Sequence, residues 1–176
     1  MPLTKALALG ALLALSTGRL ARADDPCDAF SWDLRIERAL FAREGQPVKA
    51  AADPADAPAL AAATPYAVAL VVQEAVHFSA RPGKKTTPTG ARGGLAKIHV
   101  THAGRYRISL DSPAWIDAVV AGEALPSQAF QGRPGCNAPH KVVEYELREG
   151  DVVIQLSAAL TDSVRLTITE TPRSAH

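Results

Sequence analysis

The sequence predicts a mainly β protein: an antiparallel, jelly-roll-like β-sandwich of roughly eight strands with one N-terminal helix. Three observations carry this reading. Apolar and polar residues alternate with period two through most of the second half of the chain. Turn-forming residues punctuate these runs about every 8–12 positions. No long helical segment separates one alternating run from the next, which argues against a parallel sheet with crossover helices.

The elements follow in chain order. Residues 1–23 have a short basic start, an apolar run from Ala6 to Leu15, and the small-residue ending Ala21-Arg22-Ala23. This is the pattern of a secretory signal peptide cleaved after Ala23. The apolar run is about half the roughly 20 residues needed to span a bilayer. Residues 24–64 are expected to form a helix and an irregular connection. In Asp28–Glu44 the residues Phe30, Leu34 and Phe41, with Ile36 and Leu40, make an apolar stripe at helical spacing. Asp28 is the expected N-cap, and Gly45 with Pro47 the stop. Ala50–Thr64, rich in Ala, Asp and Pro, lacks a strong period.

Residues 65–176 are assigned to the sandwich. Tyr66–Val72 reads as a buried strand, with Val76–Phe78 as a possible partner. Arg81–Gly94 is a loop with the basic residues Arg81, Lys84, Lys85 and Arg92, followed by Lys97. Alternation then marks strands around Ile98–Val100, Tyr106–Leu110, Val143–Leu147, Val152–Leu156 and Val164–Ile168. A further strand is expected over Ala114–Ala121.

Composition narrows the function classes. The 176 residues are 47% hydrophobic and 21% charged, with a formal net charge of +1. Loss of residues 1–23 would remove Lys5, Arg19 and Arg22 and no acid, leaving 153 residues with a net charge of −2. No basic excess points to nucleic acid. Nine aromatic residues are too few for the girdles of a membrane barrel, and no later segment is apolar enough for a transmembrane helix. Cys27 and Cys136 are the only cysteines. An even count in an exported chain favours a disulfide, and only one intramolecular pairing is possible.

Candidate chemistry is sparse. His99 and His102 are three apart, which on a strand points them to opposite faces about 10 Å apart. His140 and Glu144 share a face but lie about 13 Å apart along one strand. No G-x-S-x-G elbow or phosphate-binding loop occurs. No cofactor and no metal site is expected. Trp115-Ile-Asp117 is the most specific cluster: on a strand its Trp and Asp share one face and could stack on and hydrogen-bond a sugar or peptide. A core tryptophan is the commoner fate of such a residue. The basic loop could dock an anion, although most such loops are simply solvated.

The chain resembles a family of small exported bacterial proteins. The matching residues are Gly104-Arg-Tyr-Arg-Ile-Ser-Leu110, Ala114-Trp-Ile-Asp117, Cys136, Lys141-Val-Val-Glu144 and Gln155-Leu-Ser157. Cys27, Phe30-Ser-Trp-Asp-Leu34, Ala39-Leu-Phe41 and Pro82-Gly-Lys84 match in the N-terminal half. Members often carry the label homogentisate 1,2-dioxygenase, which implies iron held by two His and a Glu; no spacing here places such a triad. More loosely, Gly104-Arg-Tyr106-Arg, Trp115-Ile-Asp117 and Gly150-Asp-Val-Val153 are similar to non-catalytic jelly-roll modules appended to secreted peptidases.

The resulting expectation is a periplasmic or secreted, non-catalytic binding or accessory protein. Trp115, Asp117, Lys84, Lys85 and Arg92 are its contact candidates, and its partner is a small ligand, a glycan or an envelope protein. One alternative is a small metal-dependent oxygenase, requiring two of His77, His99, His102 and His140 to converge with an acid such as Glu144. The other is a structural component of an envelope assembly.

Overall fold

The computed structural model describes residues 25–171. The expected signal peptide and its cleavage site lie outside the described residues. In chain order the strands are β1 (Gln46–Lys49), β2 (Ala59–Leu60), β3 (Pro65–Ala69), β4 (Val71–Val72), β5 (Arg92–Val100) and β6 (Gly104–Leu110). They continue as β7 (Trp115–Val120), β8 (Glu123–Ala124), β9 (Ala129–Gly132), β10 (Lys141–Leu147), β11 (Gly150–Ala159) and β12 (Ser163–Glu170). The α-helix α1 is Arg35–Phe41.

Two sheets face each other. The first runs β1–β3–β12–β6–β10–β9, and the second runs β2–β5–β11–β7–β8 with β4 also paired to β5. Consecutive strands from β5 to β7 and from β10 to β12 alternate between the sheets. Period-two alternation therefore supplies both inner faces: Ile108, Leu110, Leu166 and Ile168 from one meet Ile98, Ile116, Ile154 and Leu156 from the other. The sheets do not close into a barrel.

The mainly β sandwich was legible in the alternation, with three corrections. There are twelve strands among the described residues, not eight; the extra ones are short edge pieces. The sheets are mixed: β1 pairs parallel with β3, and β2 pairs parallel with β5. Pro47 disguises β1, and an edge strand is where a proline inside a strand is tolerated. Val76–Phe78 is not a strand; a 3-10 turn at Gln73–Ala75 precedes it, and Val76 packs with Ala57 and Leu95.

The N-terminal helix is shorter than its apolar stripe suggests. Asp28 is not its cap. Asp25 instead caps a 3-10 turn at Pro26–Ala29, and Leu34 precedes α1 without a side-chain cap. Residues 30–34 run over the first sheet because sheet residues hold them there. Arg133 lies over the Phe30 ring at 5.2 Å, and Arg107 lies over Trp32 at 4.7 Å. Gln131 exchanges two hydrogen bonds with Ser31, at 2.9 and 2.7 Å. The expected stripe also fails at Ile36, which is 51% exposed, while Glu37 is buried. Cys27 and Cys136 form the expected disulfide, which fastens this strap to the loop before β10. No helix among the described residues is long and apolar enough to cross a membrane.

Candidate functional site

Strand β7 turns Ile116 and Ala118 into the core and Trp115 and Asp117 to the outer face of the second sheet. That face is covered. The segment around Ala80–Lys84 lies across it, fixed by two outward side chains. Gln155, opposite Asp117 in the β11–β7 register, accepts the Ala80 N–H at 2.9 Å and donates to the Ala80 carbonyl at 3.2 Å. Asp117 accepts the Trp115 indole N–H at 2.8 Å and the Gly83 N–H at 3.1 Å. A Cβ on Gly83 would come within 2.8 Å of Trp115 Nε1 and 2.9 Å of Asp117 Oδ1, so only glycine allows this approach. Asp117 is thus a buried positioning group, 8% exposed, that sets the indole plane and holds the covering segment.

Two cations gather at the indole. Lys141 Nζ stands 4.7 Å from the ring centroid and Lys84 Nζ 5.9 Å, both within cation–π reach. Lys141 Nζ also donates to the Ala114 carbonyl at 3.2 Å. Burial pushes the Lys141 pKa down, Lys84 adds to that effect, and Asp117 opposes it. Next to Lys141, His140 Nδ1 lies 3.2 Å from the Cys136 carbonyl, so the disulfide loop orients the imidazole. Lys84, Lys141, His140 and Trp115 line a cavity of about 260 Å³ that no carboxylate lines.

A second cavity, about 280 Å³, shares Trp115 and Lys141 with the first. Its walls combine Ile116 from β7 and Val143 and Tyr145 from β10, all inner-face residues, with Trp115 and Asp117 from the outer face of β7. Leu125 and Phe130 add to the apolar lining, and Asp117 and Ser127 are its other polar members. Phe130 is 69% exposed. Tyr145 donates its hydroxyl to the Ile116 carbonyl at 2.8 Å, and burial pushes its pKa up, with Asp117 adding to the shift.

The structure thus brings together Trp115, Asp117 and Lys84 and leaves two other candidates out. Lys85 is exposed and lines neither cavity. Arg92 turns away to pair with Asp162 at 2.9 Å. Sequence reasoning missed Lys141 as a site residue. A signal was present: Lys141 shares the period-two face of Val143, Tyr145 and Leu147, and a lysine at the start of an apolar face needs a reason. The histidines disperse. His77 pairs with Asp53 at 2.5 Å, His99 with Asp151 at 2.7 Å, and Glu144 with Arg107 at 3.2 Å. Among the described residues no group of three or more His, Cys, Asp or Glu could hold a metal.

A larger cavity of about 670 Å³ lies beside α1, and four of its six charged groups pair with one another, Arg35 with Asp33 and Arg107 with Glu37. Arg107 reaches Glu144, Glu37 and the Asp33 carbonyl, and Thr169 donates to Glu37 at 2.7 Å. Arg35 holds the Asp33 carboxyl down to about 2 through hydrogen bonds. The Arg107 and Thr169 contacts fasten the strap, and of the charged lining residues Arg43 and Glu170 form no ion pair within 4 Å among the described residues. A scan against protein-family models gives no match to the chain, and neither does a search of curated proteins.

Proposed function

We propose that this is an exported, non-catalytic binding protein whose ligand site is centred on Trp115 and Lys141. The observation that carries the reading is the pair of adjoining cavities that share those two side chains. Each alone falls just short of the roughly 300 Å³ at which small-molecule sites begin; joined, they fall within that range. The indole is also rigidly set by Asp117, as a recognition surface requires. The Cys27–Cys136 disulfide supports export to an oxidising compartment, periplasmic or extracellular.

A mixed library of neutral, cationic and anionic fragments, titrated into the ¹⁵N-labelled, disulfide-bonded protein, tests the reading. Shifts should concentrate on the Trp115 indole N–H and on the backbone of β7 and β10. A library that leaves those signals in place, or binds only elsewhere, would refute the site. Chemical conversion of a bound fragment, followed by mass spectrometry, would refute a non-catalytic role.

A further inference from the structure

We infer that the ligand is a small amphipathic anion, with its charged head between Lys84 and Lys141 and its apolar body in the neighbouring, mostly apolar cavity. The inference rests on the site proposed above and adds the chemical class and the direction of binding.

The two cavities differ in kind. The first has two lysines, His140 and the indole in its wall and no carboxylate in its lining; Asp117 acts on Lys141 from outside it. Burial and the neighbouring Lys84 both work against the proton on Lys141. An anion placed between the lysines would relieve both effects, which no neutral ligand can do. Arg92, the other cation considered from sequence, has its own acid in Asp162, whereas Lys84 and Lys141 form no ion pair within 4 Å among the described residues.

The second cavity takes the opposite end of the ligand. Ile116, Leu125, Val143 and the Tyr145 ring offer apolar walls, and the exposed Phe130 ring adds apolar surface to them. The Tyr145 hydroxyl is engaged by the Ile116 carbonyl. The Asp117 carboxylate accepts two N–H groups. Its negative charge would repel an anionic head from this side, so the head belongs with the lysines. Trp115 and Lys141 stand at the junction, where the lysine's aliphatic stem and the indole can contact an apolar chain while the ammonium meets the head. A large apolar ligand without charge would leave the lysine cavity unused, and inorganic phosphate would leave the apolar one unused.

The experiment compares octanoate, octanol, octylammonium and inorganic phosphate, each titrated into the disulfide-bonded protein and followed by the Trp115 indole signal and calorimetry. Octanoate should bind most tightly, shifting Lys84, Lys141, Leu125 and Val143 together. Lys141→Gln should weaken octanoate by about tenfold or more, the loss expected for one charged hydrogen bond, and weaken octanol, which loses only the contact with the lysine stem, several-fold less than that. Lys85→Gln should change neither. Octanol or octylammonium binding at these residues as tightly as octanoate would overturn the anionic class while leaving the binding site intact. Phosphate matching octanoate would overturn the apolar half of the inference. If none of the four moves the Trp115 signal, the inference fails; the site itself then stands or falls with the fragment library.

Discussion

Tyr145 shows how one side chain serves both the core and the candidate site. Its ring faces inward with Val143 and Leu147, and its hydroxyl closes on the Ile116 carbonyl of the opposite sheet. Burial raises its pKa, so the folded state holds the phenolic proton more tightly than the unfolded chain does. That stabilisation is fully present below the ordinary tyrosine value of about 10 and is lost as pH rises towards the folded value. Urea unfolding between pH 8 and 11 should therefore show stability falling above about pH 10. Tyr145→Phe should flatten that fall while costing about 1–3 kcal/mol at neutral pH, since the Ile116 carbonyl loses its partner. An unchanged alkaline slope in the variant would assign the effect to another group, of which Tyr106 is the first to test because burial raises it as well. Gly83 is the second telling residue. Gly83→Val should lower stability by about 1–3 kcal/mol through overpacking against Trp115 and Asp117 and should shift the indole N–H resonance. A neutral effect would mean that the covering segment is looser than its two anchors suggest.

Among the elements, the strap of residues 26–41 and the strands beneath it hold the highest stakes. Arg107 on β6 serves two buried carboxylates, Glu37 on α1 and Glu144 on β10, and stacks on Trp32. All three ionic side chains are at most 14% exposed. Removing the cation leaves buried Glu37 with only the Thr169 hydroxyl and Glu144 with only the exposed Arg105 at 3.5 Å, so Arg107→Ala should cost about 3–5 kcal/mol in denaturant unfolding. Adding Glu144→Gln to that variant should recover part of the loss. Strict additivity of the two changes would mean that Arg107 and Glu144 are not coupled. The same strap marks where sequence reading stops. β5, β6, β10, β11 and β12 were legible because a one-residue slip would turn every apolar side chain outward. α1 was only half legible. Its period gave Leu34, Leu40 and Phe41, but whether Ile36 or Glu37 is buried depends on Thr169 and Arg107, more than 60 positions away. The site was legible in the same uneven way. Trp115 and Asp117 stand together in the sequence, whereas Lys141 reaches them only through the folding of one sheet onto the other.

Across the whole molecule, the Cys27–Cys136 bridge closes a separation of 109 positions. The chain-entropy model assigns roughly 4–5 kcal/mol to a loop of that size. Cys27→Ala with Cys136→Ala should lower stability by about that amount in urea melts, less whatever order the strap retains through Arg107 and Gln131. Equal stability of the bridged and unbridged forms would show that the strap's non-covalent contacts suffice. The bridge also sets the loop that carries His140 and leads into Lys141 at the start of β10. Losing it should therefore weaken octanoate binding as well as stability, and calorimetry on the unbridged variant separates the two effects.

β12, the last of the described strands in the order of synthesis, sits in the middle of its sheet, flanked by β3 and β6. The strap, which comes first among the described residues, takes its partners from β6, β9 and β12. A ribosome or a translocation channel delivering this chain in order would release the strap early with nothing to dock against, its thiol waiting. A nascent chain stopped before Ser163 would leave β3 and β6 beside an empty slot. Completion of the first sheet thus waits on the last of the described strands.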